Sequence, residues 1–380
     1  MKIPLFKIYW DEDDVRAVNE VIRSGMYWTT GPKSKEFEGM IAEYLGRKYA
    51  VAFNSGTSAL HAAVLAHRIK GGEVIVPSFT FIATSNALLM AGIKPVFADI
   101  EEKTFGLDPR SVEAAITKKT KAIIPVHYGG SPCMIRELRE VAEDHKVLLI
   151  EDAAESFGAK IGKEKVGDFG DSAMISFCQN KVITTGEGGA VVTDSQDVYE
   201  RLRLVRSHGR LESMDYFSTW KEMDYVTLGY NYRMSDITAA LGISQLKKIG
   251  KLVQMRRRKA ARLAAALERV KGVITPRPLE GYYHIYQMYT LRMKEGRDVR
   301  DKLANYLGEK GISAKVYFYP VHSTHFYRNV LKYRCKLPVT DEVSQQVLSL
   351  PIYPSMTTEE IEYITDEIKS FQKVGKNEEN

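Results

Sequence analysis

The chain has 380 residues, 44% of them hydrophobic and 27% charged, a composition that leaves room for a large core and excludes a disordered or fibrous protein. Its formal net charge of +6 suits an anionic small-molecule substrate as well as it suits nucleic acid. Three widely spaced cysteines (Cys133, Cys178, Cys335) argue against a disulfide framework or structural zinc, and no apolar stretch has the length of a signal peptide or membrane span, so a soluble, cytoplasmic protein without a membrane partner is expected.

In chain order, Asp11 caps a predicted helix whose Val15, Val18, Val21 and Ile22 share one face and which Gly25 ends. The segment MYWTTGP, Met26 to Pro32, crosses as a loop in which Tyr27 and Trp28 are either core or pocket lining. A second helix follows near Ser34 to Leu45. Apolar β-type runs then recur at Val51 to Phe53, Val74 to Val76, Pro95 to Phe97, Ala122 to Val126, Val147 to Ile150 and Ala173 to Phe177, with helical stretches between most of them. Continuous rather than alternating apolar strands predict a sheet covered on both faces, and helical connections predict parallel pairing. Ligands of such a sheet gather where its strands end.

The residues just after each run are therefore the candidates for chemistry. Asn54-Ser55-Gly56-Thr57-Ser58 feeds the helix of Ala59 to Ala66, and either cradles a phosphate on its amides or is a capped strand-to-helix turn. Ser78-Phe79-Thr80-Phe81 brings two aromatics, and Glu151-Asp152-Ala153-Ala154-Glu155 brings carboxylates that burial makes costly unless a cation or hydrogen bonds meet them. In ISFCQNKVITTGEGGAVVTD, Ile175 to Asp194, Lys181 lies in a loop between two strands and is either an amine nucleophile or a solvent-facing lysine. The polar loops RSHGR (Arg206 to Arg210) and GYNYRMSD (Gly229 to Asp236) precede a predicted long helix from about Ser244 to Arg269.

That helix divides the chain into a large α/β domain, residues 1–245, and a linker helix with a smaller α+β domain, residues 246–380. The smaller domain has β-type runs near Ile285 to Met293 and Ala314 to Phe318, helices near Asp298 to Leu307 and Thr358 to Phe371, and a loose polar tail from Lys373. The basic run from Lys247 to Arg262 reads as a solvated helix face; without a reader motif, no nucleic-acid partner is expected. GEGGAV fails the dinucleotide-binding spacing at Val191, and no P-loop, HExxH or G-x-S-x-G occurs. His322 and His325 share a loop without a carboxylate partner, so no metal is expected.

A lysine amine, a buried aspartate, a phosphate cradle and an aromatic platform at the ends of one sheet's strands are the parts that pyridoxal 5'-phosphate (PLP) requires. Lys181 would bond the aldehyde, Asp152 would keep the pyridine nitrogen protonated, and Phe81 and Ala154 would flank the ring.

The chain also resembles the DegT/DnrJ/EryC1/StrS family of sugar aminotransferases, of the type I PLP fold, through TTGP, NSGTSALHAA, VPSFTFIATSNA, IEDAAES, GDFGDSAMISF, NKVITTGEGGA, GYNYRMSD and LSLPIYP in the family's order. The resemblance implies a mostly parallel sheet sandwiched by helices, with Lys181 and Asp152 catalytic, Gly56, Thr57 and Ser176 on the phosphate, Phe81 on the ring, and Asn231 reaching the phosphate of a neighbouring subunit in a homodimer with shared sites. It implies amino transfer from an amino acid, L-glutamate giving 2-oxoglutarate, to a nucleotide-linked keto sugar. Lys181, where a deoxygenating branch has histidine, places the chain with the transaminases. Glu155, also at the cofactor, is similar to enzymes that aminate C4 of a 4-keto-6-deoxyhexose, perosamine synthases among them. Arg210 and Arg233 are candidate contacts for the substrate's diphosphate, and Trp28, Thr29 and His322 for its sugar. A catalytically idle regulator on the same fold is the alternative.

Overall fold

The computed structural model describes residues 1–211, 220 and 222–377. Strands β1 (Tyr49–Phe53), β2 (Glu73–Pro77), β3 (Lys94–Ala98), β4 (Thr120–Ile123), β5 (Leu148–Asp152), β6 (Ser172–Ser176) and β7 (Gly189–Thr193) form a seven-stranded sheet in the order β1-β7-β6-β5-β4-β2-β3. Strand β7 runs antiparallel to both neighbours, β1 and β6, while the pairs from β6 through β3 are parallel. Burial on both faces follows from the alternation within each strand. Val51 and Phe53 pack with the helix Gly56–Ala66 on one side, whereas Ala50 and Ala52 pack with Phe37 and Ile41 of the helix Pro32–Leu45 on the other. The architecture is the α/β type I PLP fold that the sequence predicts; the reversed β7 is a departure from uniform parallel pairing.

The smaller domain centres on Tyr289–Met293, flanked antiparallel by Val273–Ile274 and Val347–Leu350 and covered by the helices Ile249–Leu267, Arg297–Glu309 and Thr358–Asn377. Ile3 is buried in this core and bridges Ile312, so the N-terminal arm packs with the C-terminal domain rather than with the rest of 1–245. The expected single helix from Ser244 is two, Asp236–Lys247 and Ile249–Leu267, broken at Lys248. Lys248 Nζ pairs with Asp11 at 2.5 Å and Asp14 at 2.8 Å, which ties the break to the first helix, Glu12–Ser24. In the expected β-run at Ala314 to Phe318 only Lys315 bridges, to Ser349, and the last helix continues through Lys373 to Asn377 where a loose tail is expected.

The basic run is not a plain solvated face. Arg256 is buried and donates to the carbonyls of Tyr286, Gln287 and Ile352, while Arg257 donates to His284 O and lies over the Tyr283 ring at 4.0 Å. These cations tie chain segments together, a use that charge patterning alone does not distinguish from solvation. Among the described residues no helix is long and apolar enough to cross a membrane.

Candidate active site

The end of β5 puts three carboxylates to three uses. Glu151 is fully buried; it accepts from the amides of Gly167, Phe169 and Gly170 at 2.8 Å each and from His127 Nε2 at 3.0 Å. The Cys133 amide donates to His127 Nδ1 at 3.1 Å, which fixes the ring as the tautomer that donates to Glu151. Glu151 is thereby a structural acid. Asp152, 3% exposed, faces the opposite side of the strand and accepts from Thr84 Oγ1 at 2.8 Å and the Ala154 amide at 3.1 Å. Burial pushes its carboxyl above the ordinary range, with Thr84 and the Ala154 amide opposing and Glu155 adding to the rise. A buried carboxyl in that condition favours a cationic partner.

Glu155, 9% exposed, accepts from the Gly129 amide at 2.8 Å and lies 3.6 Å from Lys181 Nζ. Lys181 follows β6 by a short loop whose Lys181 amide donates to Cys178 O at 2.9 Å. Its side chain is mostly enclosed, so the solvent-facing alternative for this lysine does not hold.

The helix Gly56–Ala66 begins beside the ends of β6 and β7. Ser55 Oγ caps it by accepting from the Ser58 amide at 3.1 Å, leaving the first-turn amides of Gly56 and Thr57 for an anion. A Cβ on Gly56 would lie 2.9 Å from Ser176 Cβ and 3.0 Å from its Oγ, and one on Gly189 would lie 2.6 Å from Ser55 O. Only glycine at these positions lets the helix start, the Ser176 hydroxyl and the end of β7 approach so closely. Phe81 stands 60% exposed, its ring centroid 6.3 Å from that of Phe318, and Ala154 lies two residues beyond Asp152, its amide donating to that carboxylate.

The substrate candidates separate. A cavity of about 1210 Å³ lies away from Lys181 and is lined by Thr29, Tyr27, His208, Arg210, Tyr225 and Arg233, among others. Arg210 and Arg233 both donate to Ser207 Oγ, at 3.4 and 3.2 Å. Trp28 is half exposed and is not part of that wall. His322 is buried: its amide donates to Ser78 Oγ at 3.0 Å, that hydroxyl donates to Nδ1 at 2.6 Å, and Nε2 faces Asp341 at 3.3 Å. Its ring packs against the turn that leads to Phe81 and does not line the arginine cavity. Asn231 is exposed, and its carbonyl accepts from Asn54 Nδ2 at 3.4 Å next to the helix start.

Comparison with known proteins bears on what this geometry is for. The model of the DegT/DnrJ/EryC1/StrS aminotransferase family matches residues 9–369. The chain belongs to this family. Among its relatives, the GDP-perosamine synthase of Escherichia coli O157:H7 is 35% identical over 370 residues, spanning 97% of this chain and 98% of that one. Similar solved structures include the Helicobacter pylori aminotransferase PseC, involved in pseudoaminic acid biosynthesis (TM-score 0.92, 29% identity, 98% of this chain and 100% of that one). The PLP form of the sugar aminotransferase Spr1654 of Streptococcus pneumoniae matches with TM-score 0.92 and 27% identity over 98% and 99% of the two chains.

The DegT/DnrJ/EryC1/StrS aminotransferase has a site that fits PLP on its own geometry. Asp152 is a buried carboxyl without a cationic hydrogen-bond partner among the described residues, and the Gly56–Ser176–Gly189 approach forms a cradle that any Cβ would fill. Four further residues at the site come from chain positions that local reading did not single out. Thr84 holds Asp152, Gly129 holds Glu155, Gln287 holds the Lys181 loop by donating to Asn180 O, and Tyr317 from the smaller domain lies close enough to Glu155 for its phenol to be pushed up by burial and by that charge. No local pattern signals them, because each is brought in by the fold from a distant stretch.

Proposed function

We propose that this aminotransferase, whose cofactor is PLP, moves an amino group from L-glutamate to C4 of a nucleotide-linked 4-keto-6-deoxyhexose, releasing 2-oxoglutarate. When bound, the cofactor supplies an aldehyde that takes up the amino group and a ring that accepts electrons from the carbon losing its proton. Lys181 Nζ carries that proton, acting as base and then as acid, and Glu155 at 3.6 Å steadies its charged form. Asp152, buried and held by Thr84 and the Ala154 amide, would face the ring nitrogen and favour the protonated ring. Gly56 and Thr57 amides with Ser176 Oγ anchor the phosphate at the positive end of the helix dipole.

The observation that carries the reading is the convergence of Lys181, Asp152 and the Gly56–Ser176 cradle on adjacent strand ends. Support for C4 comes from Glu155 beside Lys181 and from the perosamine synthase relatives. The Arg210–Arg233 cavity would take the diphosphate. Exposed Val226 and Leu228, a few residues before exposed Asn231 in the chain, suit an interface in a cytoplasmic homodimer, where Asn231 would reach the partner's phosphate. The idle-regulator alternative is not favoured, since Lys181, Asp152 and the cradle are all assembled.

The test is to supply holoenzyme with ¹⁵N-labelled L-glutamate and a panel of nucleotide-linked keto sugars and to locate the new C–N bond by NMR. Nitrogen at C4 is expected. Nitrogen at C3, or no transfer from glutamate to any sugar, overturns the reading.

A further inference from the structure

Beside Lys181 lies a small pocket with about 10 Å³ of room for a water's centre, lined by Ala154, Glu155, Phe157, Ser176, Lys181, Val182, Ile183 and Gln287. That is space for one water and for no substrate. Gln287 is 5% exposed, and its Nε2 donates to Asn180 O, which settles how the amide is turned. Its Oε1 is then a fully enclosed acceptor with no donor among the described residues. An amide oxygen sealed from solvent in this way calls for a partner. Across the pocket, Lys181 Nζ has three protons to place and meets Glu155 only at 3.6 Å, beyond an ordinary hydrogen bond.

We infer that Gln287 is a positioning residue for Lys181, acting through one water held between its Oε1 and the polar groups of this pocket. The inference rests on the aminotransferase reading above. Because Ala154, Phe157, Val182 and Ile183 have apolar side chains, the side-chain partners that the lining offers such a water are Gln287, Lys181, Glu155 and Ser176, and a buried water needs two to four. The backbone supports the placement. Arg256 Nη1 holds Gln287 O at 3.3 Å, the Ile285 amide donates to Gly130 O at 2.9 Å, and the Met288 amide donates to Gly129 O at 3.0 Å. Gly130 has φ +101°, and a Cβ there would lie 2.6 Å from Gln287 N, so this strap and the Gly129–Gly130 turn are fitted to each other. The same turn presents the Gly129 amide to Glu155. One crossing segment thus sets both the lysine loop and the carboxylate that faces the lysine.

The first test is a high-resolution crystal structure of the wild-type enzyme loaded with pyridoxamine phosphate, the form in which the Lys181 amine is free. A water within hydrogen-bonding distance of Gln287 Oε1 and of at least one of Lys181, Glu155 and Ser176 is expected; a protein donor on Oε1 with the pocket closed overturns the inference. The second is kinetic. Gln287→Met keeps the length and removes both polar ends, and should lower kcat by roughly 10- to 100-fold with both KM values within about twofold. Gln287→His, which retains one donor and one acceptor, should recover most of the rate. An unchanged kcat in folded Gln287→Met, or KM rising in step with the loss, overturns the positioning role. If the wild type itself transfers no amino group, the functional reading fails, and the crystallographic water still decides the inference.

Discussion

At the ends of β1, β5 and β6, Asp152, Glu155 and the helix start are buried and held by close contacts: Asp152 by Thr84 and the Ala154 amide, Glu155 by the Gly129 amide, the helix start at Gly56 by its closeness to Ser176. The arginine-lined cavity is built differently: loop residues such as Thr29, His208, Arg210 and Arg233 meet residues of the helices Pro32–Leu45 and Gln196–Arg206 around a volume of about 1210 Å³. The first region spends rigidity on placing single atoms; the second offers spread positive charge to a larger anion. Substitutions in the first should therefore change the rate of the chemical steps, and those in the second should change substrate affinity.

The largest effect separating the two regions is expected at Lys181. Lys181→Ala should lower amino transfer by about 10⁴-fold or more, since both covalent attachment and proton transfer leave with the amine. Borohydride treatment followed by peptide mapping should fix cofactor on Lys181 in the wild type and nowhere in the variant. Cofactor recovered on another lysine would dissolve the contrast at its centre.

Asp152→Asn comes next, with a rate loss of about 10²–10³-fold. It also carries an opposite effect on stability. Burial raises the folded-state pKa of Asp152, so the folded apoprotein holds this proton more tightly than the unfolded chain does. Stability is then fully present at low pH and falls as pH climbs from the ordinary carboxylate range through the raised value. Asparagine removes that cost, and apo Asp152→Asn should melt roughly 1–3 °C above the wild type at neutral pH, with the two converging in acid. A lower melting temperature for the variant at pH 7 would show that the carboxylate is already compensated by the protein alone. Gly56→Ala, by contrast, should act on binding within the same region: a Cβ 2.9 Å from Ser176 Cβ opens the cradle, and a tenfold weaker hold on PLP, about 1.4 kcal/mol, is expected in a cofactor titration.

The same division explains what could be read from the chain. Lys181, Asp152 and Gly56 were legible because a covered parallel sheet sends its strand ends to one edge, and each lies directly after an apolar run. Gln287 and Gly129 were not, because their importance lies in contacts made across long sequence separations. The setting of His322 was equally hidden, since nothing near it in the chain signals Ser78 and Asp341, which engage both its ring nitrogens. The antiparallel turn of β7 was hidden for a similar reason: a fully buried strand has the same apolar pattern in either direction. The break at Lys248 depends on acids more than two hundred residues upstream, beyond any helical periodicity.

The smallest effect concerns the arginine cavity. Arg210 sits at its wall, shares Ser207 Oγ with Arg233, and is paired across an isolated bridge with Tyr225, so its removal should leave β5 and β6 and the groups they position undisturbed. Arg210→Ala is expected to raise KM for the nucleotide-linked sugar by roughly 5- to 10-fold with kcat within about twofold, the mark of an interaction made equally in ground and transition states. Salt should narrow the gap between variant and wild type, because a charge contact at a half-open wall is screened. Trp28→Ala serves as the neighbour that sits outside the wall, and its KM should stay near the wild-type value. If Arg210→Ala instead lowers kcat while sparing KM, the cavity arginines act on the reacting atoms and the distinction between a rigid chemical edge and a binding basin fails at its weaker end.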